Sequence, residues 1–178
     1  MIRFIAGSAQ AYELMEGLIQ QHFPDLKKAK ILVLFDRKKR VHGNKLVLAR
    51  MMRSNDLIRR LTDQIEPEGY DYVMFLDKVI FDTASEIDKT RLIRHELRHA
   101  FVEYRAKNPY KLIPHDIEDF EAEIALNKDD VGWAKRAASL AMQIYDEDEE
   151  QDLDDGRLDA DIPQPDDKGK IIYKIKRN

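Results

Sequence analysis

The order of apolar and polar positions along the chain predicts short strands alternating with amphipathic helices. Between Gln10 and Gln21, Tyr12, Met15, Leu18 and Ile19 recur at three- and four-residue spacing, the signature of one helical face, and Phe23-Pro24 ends the pattern. Lys30-Ile31-Leu32-Val33-Leu34-Phe35 is short, apolar and bounded by charge, as a buried strand should be. Asp36-Arg37-Lys38-Lys39-Arg40 reads as a basic loop, His42-Gly43-Asn44 as a turn, and Lys45 to Met51 as a second strand. Ser54 to Ile65 has Leu57, Ile58 and Leu61 at helical spacing, and Gly69 to Phe81 is rich enough in Tyr, Val and Phe to form one or two strands.

In the second half, Ile93, Leu97, Ala100, Phe101 and Tyr104 fit a core-facing stripe and predict a helix from about Ser85 to Ala106. Thr83-Ala84-Ser85-Glu86 would open it as a capping box just after a strand, and Asn108-Pro109 would close it. Asp116 to about Tyr145 is a second long helical pattern, with Gly132 as a kink or break. The predicted fold is α+β, helices packed on a small mixed β-sheet, over residues 1–145. Residues 146–178 form an acidic tail with the composition of a disordered segment, ending in the apolar and basic run Ile171 to Lys176.

Composition narrows the chemistry. The chain has no cysteine, so neither disulfides nor Cys-based zinc sites are available. Its apolar runs are too short for a signal peptide or a membrane span, which predicts a soluble, cytoplasmic protein without a membrane partner.

The chemically informative stretch is His95-Glu96-Leu97-Arg98-His99. Two histidines four apart on a helix share a face and can bind one metal ion. Glu96 lies about 100° around the helix from His95, off the metal but near a water bound to it. Zinc with three protein ligands and an open position lowers the pKa of that water to about 7. A neighbouring carboxylate can then act as general base in attack on a carbonyl. The pattern therefore predicts one zinc ion, His95 and His99 as ligands, Glu96 as catalytic base, and a protein or peptide substrate. His115 is the favoured third ligand, because Pro114-His115 falls where a second helix would return toward the first; Glu118, Asp119, Glu121 and Glu123 are its rivals. Tyr104, Tyr110 and Arg98 are candidate donors to a developing oxyanion, and Glu103 and Asp119 candidate partners that orient the imidazoles. His22 and His42 lack metal-ligand spacing and read as surface residues.

With Tyr110-Lys111-Leu112-Ile113-Pro114-His115-Asp116-Ile117-Glu118-Asp119-Phe120 following it, the histidine motif resembles the phage metallopeptidase family. It is more distantly similar to the SprT/Spartan-like zincins, whose third zinc ligand is a His in a Pro-His-Gly-x-x-aromatic segment. Pro114-His115 matches that segment, Asp116 stands in place of the Gly, and Phe120 comes one position after the aromatic site. The resemblance covers residues 70–125 and implies a zincin-like fold, peptidase activity and His115 as a zinc ligand. It also implies an edge strand along the cleft, assigned to Tyr70–Leu76, that holds substrate by strand addition.

Charge is segregated. Residues 1–64 hold 13 Lys and Arg against 6 Asp and Glu, whereas residues 146–167 hold 12 acidic side chains against Arg157 alone. Lys27, Lys28, Lys30, Arg37, Lys38, Lys39 and Arg40 could contact phosphates in a DNA-associated accessory protein, or in a protease acting on DNA-bound protein. The acidic tail could mask that surface.

Overall fold

In the computed structural model, which describes residues 2–42, 45–115 and 120–154, the apolar run of the first half becomes the centre of a small sheet. Strand β1 (Phe4–Ala6) leads into helix α1 (Ala9–His22), whose N-cap Ser8 accepts the Ala11 N–H. Ala11, Met15, Leu18 and Ile19 of α1 are buried, close to the predicted face. A 3₁₀ turn over Pro24–Leu26 precedes β2 (Ile31–Asp36). The expected second strand divides: β3 (Val41–His42) pairs with β4 (Lys45–Leu46), and β5 (Ala49–Arg53) follows as a separate strand. Helix α2 (Asp56–Thr62) starts one residue later than Ser54 would cap it, because the Asn55 side chain accepts the Ile58 N–H.

Strand β6 (Tyr72–Asp77) ends where helix α3 (Lys78–Thr83) begins, with Asp77 as its cap, so Val79 to Phe81 are helical rather than extended. The sheet order is β1-β2-β6-β5, parallel between β2 and β6 and antiparallel elsewhere. This corrects the strand assignment along the cleft. Tyr72–Asp77 is interior, and the exposed edge on the α4 side is Ala49–Arg53. A strand with neighbours on both sides has no free ladder groups for an added peptide.

Helix α4 (Glu86–Arg98) is capped by Ser85, whose hydroxyl accepts the Asp88 N–H, and follows a helix, not a strand. It stops at His99 instead of reaching Ala106. The chain turns into β7 (Ala100–Val102), which pairs antiparallel with β8 (Tyr110–Leu112). Ala100 and Val102 are buried while Phe101 is exposed, a period of two that the helical reading of this segment absorbed into a 3-4 stripe. Phe101 and Tyr104 consequently lie on the surface. Tyr72 fastens the hairpin to the main sheet: its hydroxyl donates to the Phe101 carbonyl at 2.7 Å and accepts the Lys111 N–H at 3.1 Å. Burial pushes this phenol up to about 12.

Helix α5 (Glu121–Leu126) and helix α6 (Trp133–Asp154) replace the single long helix, with the break at Asn127–Gly132. The chain divides into two compact units, 1–144 and 145–178. In the second, the helix continues to Asp154, so the acidic stretch begins as helix; residues 155–178, with the rest of the predicted tail, lie outside the described residues. The core of the first unit is formed by α1, the sheet, α3 and α4, through residues such as Val33, Phe35, Met74, Leu76, Ile80, Ile93 and Leu97. This is the α+β fold expected, with six α-helices among the described residues and a mixed four-stranded sheet. No helix among the described residues is long and apolar enough to cross a membrane.

Replacing Tyr72 by Phe leaves the Lys111 N–H and the Phe101 carbonyl without their shared partner. The expected cost is about 1–3 kcal/mol, read from the urea midpoint at unchanged m-value.

Candidate metal centre

His95 is in the last turn of α4, and His99 follows it as the helix C-cap. The β7–β8 hairpin then brings the chain back beside the helix end. The Ile113 N–H donates to the His99 carbonyl at 2.8 Å, and His99 Nδ1 donates to the Ile113 carbonyl at the same distance. That bond fixes the tautomer of His99 and leaves Nε2 as its ligand atom. Two residues on, His115 reaches His95, with the two Nε2 atoms 3.0 Å apart. One ligand atom from each of His95, His99 and His115 lies within 4.8 Å of the others. Two imidazole nitrogens on one tetrahedral zinc are separated by about 3.3 Å, from bond lengths near 2.05 Å.

Phe120 packs against all three rings, its centroid 5.4, 4.9 and 5.0 Å from those of His95, His99 and His115. Its position follows from Glu123, one turn into α5. This carboxylate is fully buried, and it accepts the Arg94 Nε–H at 2.9 Å and also bonds Arg98. Arg94 further donates to Asn127 Oδ1 at 2.6 Å. A second set of ion pairs joins Arg91 and Asp88 of α4 to Asp129, Asp130 and Arg136. Asp88, Arg91, Arg94 and Arg98 thus form a charged stripe on α4 that faces the 123–136 segment rather than water. Glu123 is therefore committed to arginines and is not a metal ligand. Glu121 is exposed at the start of α5, and Glu118 and Asp119 lie outside the described residues.

Glu96 is buried, and its Oε2 has no hydrogen-bond partner among the described residues. The carboxylate accepts the Met51 N–H from β5, and burial pushes its pKa up to about 8. Leu48 accepts the Asp77 N–H, and Ser54 donates to the Asp71 carbonyl, so even-numbered residues of this strand bond to β6. Ala49, Met51 and Arg53 accordingly turn their backbone groups toward the cleft. A cavity of about 720 Å³ opens there, walled by the three histidines, Glu96, Leu46 to Met51, Leu92, Trp133 and Ala134.

The structure does not bring Tyr110 to this cavity. Its ring lies edge-on to Tyr72 and beneath Arg59, and its hydroxyl bonds Asp71. Tyr104 donates to the Asp25 carbonyl at 3.0 Å, Glu103 pairs with Lys111, and His22 and His42 are exposed. Of the basic N-terminal residues, Lys30 pairs with Glu66 and Arg40 with Asp36, and nothing in the structure supports nucleic-acid binding. The sequence reading expected a strand at Lys45–Met51 but missed the place of β5 at the cleft, along with Trp133, Leu92 and the Glu123 clamp. Only the 3-4 spacing of Arg91, Arg94 and Arg98 carried a signal, one that a solvated face gives equally well.

Three convergent imidazoles beside a buried carboxylate oxygen without a partner among the described residues suit a divalent ion, on an α+β domain with an edge strand alongside. The family comparison agrees. The chain belongs to the family described as "Putative phage metallopeptidase", whose profile matches residues 3–141. No curated protein and no solved structure matches.

Two outcomes follow. Glu123→Ala strands two arginines in a buried setting and should cost about 3–5 kcal/mol, measured by chemical denaturation. For metal-stripped protein, Glu96 keeps its proton when folded but has lost it when unfolded between its ordinary pKa of 4.5 and about 8. The contribution of Glu96 to stability should therefore fall as pH rises through that window, by up to about tenfold in the folding constant per pH unit. Glu96→Gln does not titrate, so thermal melts at pH 5 and pH 8 should show its advantage over wild type growing with pH.

Proposed function

We propose that this chain is a zinc-dependent metallopeptidase that hydrolyses peptide bonds, with Glu96 as general base. The observation that carries the reading is the buried, partnerless Glu96 Oε2 beside three imidazoles within ligand distance of one another. His95, His99 and His115 would hold the ion, and a three-imidazole set suits zinc among the available divalent metals. When bound, the ion supplies Lewis acidity, which activates water at neutral pH and polarises the scissile carbonyl. Glu96 takes the proton of the attacking water and returns it to the departing amine. The Met51 N–H fixes the carboxylate's orientation while leaving Oε2 available. Ala49 and Met51 turn backbone groups toward the cleft, where an extended substrate can pair with them in the manner of an added strand. Arg53, whose guanidinium bonds the Tyr110 carbonyl at 3.4 Å, marks the end of the edge next to the β7–β8 hairpin. Family membership supports a protein or peptide substrate.

Elemental analysis of wild type and His115→Ala tests the centre. About one zinc per wild-type chain is expected, with clear loss in the variant. Retention of zinc by the variant would move the third ligand to a carboxylate, and a wild type that takes up no zinc on reconstitution would refute the reading. Glu96→Ala should keep its zinc and lose about 10²–10⁴-fold in peptide hydrolysis.

A further inference from the structure

The cavity beside the three histidines has an uneven lining. Its titratable side chains are His95, Glu96, His99 and His115, with Arg50. The rest of the lining is apolar: Leu92, one turn before His95 and Glu96 on α4, with Trp133, Ala134 and Leu46 to Leu48, and Leu112 to Pro114 beside His115. Arg50 lies on the exposed side of β5. Leu92 and Trp133 are buried, so this part of the lining is a preformed apolar wall and not a surface that closes only on binding. At about 720 Å³ the space is of the size that holds a substituent of a ligand together with its backbone. Ala49 and Met51 turn backbone groups toward the same opening, the Met51 N–H being held by Glu96.

We propose that the substrate of this site is an extended peptide that places a large aliphatic or aromatic side chain against Leu48, Leu92, Trp133 and Ala134, next to the bond that is cleaved. The inference rests on the peptidase reading and adds the substrate class to it. A charged side chain in that position would lose its hydration and find no counter-charge on the apolar wall. A glycine would leave the wall uncovered.

Trp133 is the chain's single tryptophan, so its emission reports on the wall directly, without any turnover. The experiment titrates the full chain, zinc-loaded and carrying Glu96→Gln to prevent hydrolysis, with acetylated and amidated alanine pentapeptides. Their central residue is Leu, Phe, Asp, Lys or Gly, and zinc content is measured on the same samples. The Leu and Phe peptides should change Trp133 emission and bind about tenfold to a hundredfold more tightly than the other three. Ala134→Phe fills the wall and should abolish that preference at unchanged zinc content. Leu48→Asp, at a half-buried position, provides a second variant that should weaken the Leu and Phe peptides selectively. Equal binding of all five peptides by zinc-loaded protein, or tighter binding of Asp or Lys, overturns the inference and leaves the peptidase reading standing. Protein that takes up no zinc overturns that reading and the inference with it.

Discussion

The ion cluster centred on Glu123 ties two turns of α4 to the segment that follows His115, and the shape of the candidate metal centre depends on that tie. The Glu123 carboxylate is fully buried, and Arg94 and Arg98 pair with it from positions directly preceding His95 and His99. The clamp sets how α5 begins, and hence where Phe120 stands. Phe120 in turn backs all three imidazoles. A metal site needs its ligands held by packing and hydrogen bonds before the ion arrives, and here that role is divided between an ion cluster on one side and the His99–Ile113 bonds on the other.

The same helix carries an opposing demand at Glu96. Its carboxylate is buried with one backbone donor and one oxygen left over, an arrangement that favours the neutral acid when no cation is present. The cost is offset by the apolar packing of Ile93 and Leu97 next to it on α4 and by the charged stripe that holds the helix to the 123–136 segment. Stability is thus concentrated around a group that is itself destabilising. This is the usual arrangement where a side chain must be kept reactive. The β7–β8 hairpin, pinned by Tyr72, completes the frame by returning the chain to the helix end after a short excursion.

Local chemistry in the sequence determined a good part of this. The His95–Glu96–His99 spacing placed three side chains on known faces of a helix, because helical periodicity is a property of the backbone alone. Face periodicity likewise located α1 and β2, and Pro114-His115 marked a third candidate ligand. Where the pattern was ambiguous it misled. Ala100, Phe101 and Val102 satisfied both a 3-4 stripe and a two-residue alternation, and Val79 to Phe81 looked extended until Asp77 capped them as a helix. Only pairing with Tyr110 to Leu112 resolved the first case, and a side-chain cap the second.

Strand order, and with it the identity of the cleft edge, was decided by tertiary structure alone. β5 lies outside β6 because of long-range ladder pairing, which leaves no trace in either segment's own pattern. The partners of buried charges were equally hidden: Glu123 is one of several acidic residues on its stretch, and nothing local distinguishes it from a solvated neighbour. Which charge is buried depends on what lies across from it, and that is set only when α4 and α5 meet. The sequence therefore determined the candidate ligands and the carboxylate between them, and the fold decided which groups hold them, which strand borders them and what lines the cavity beside them.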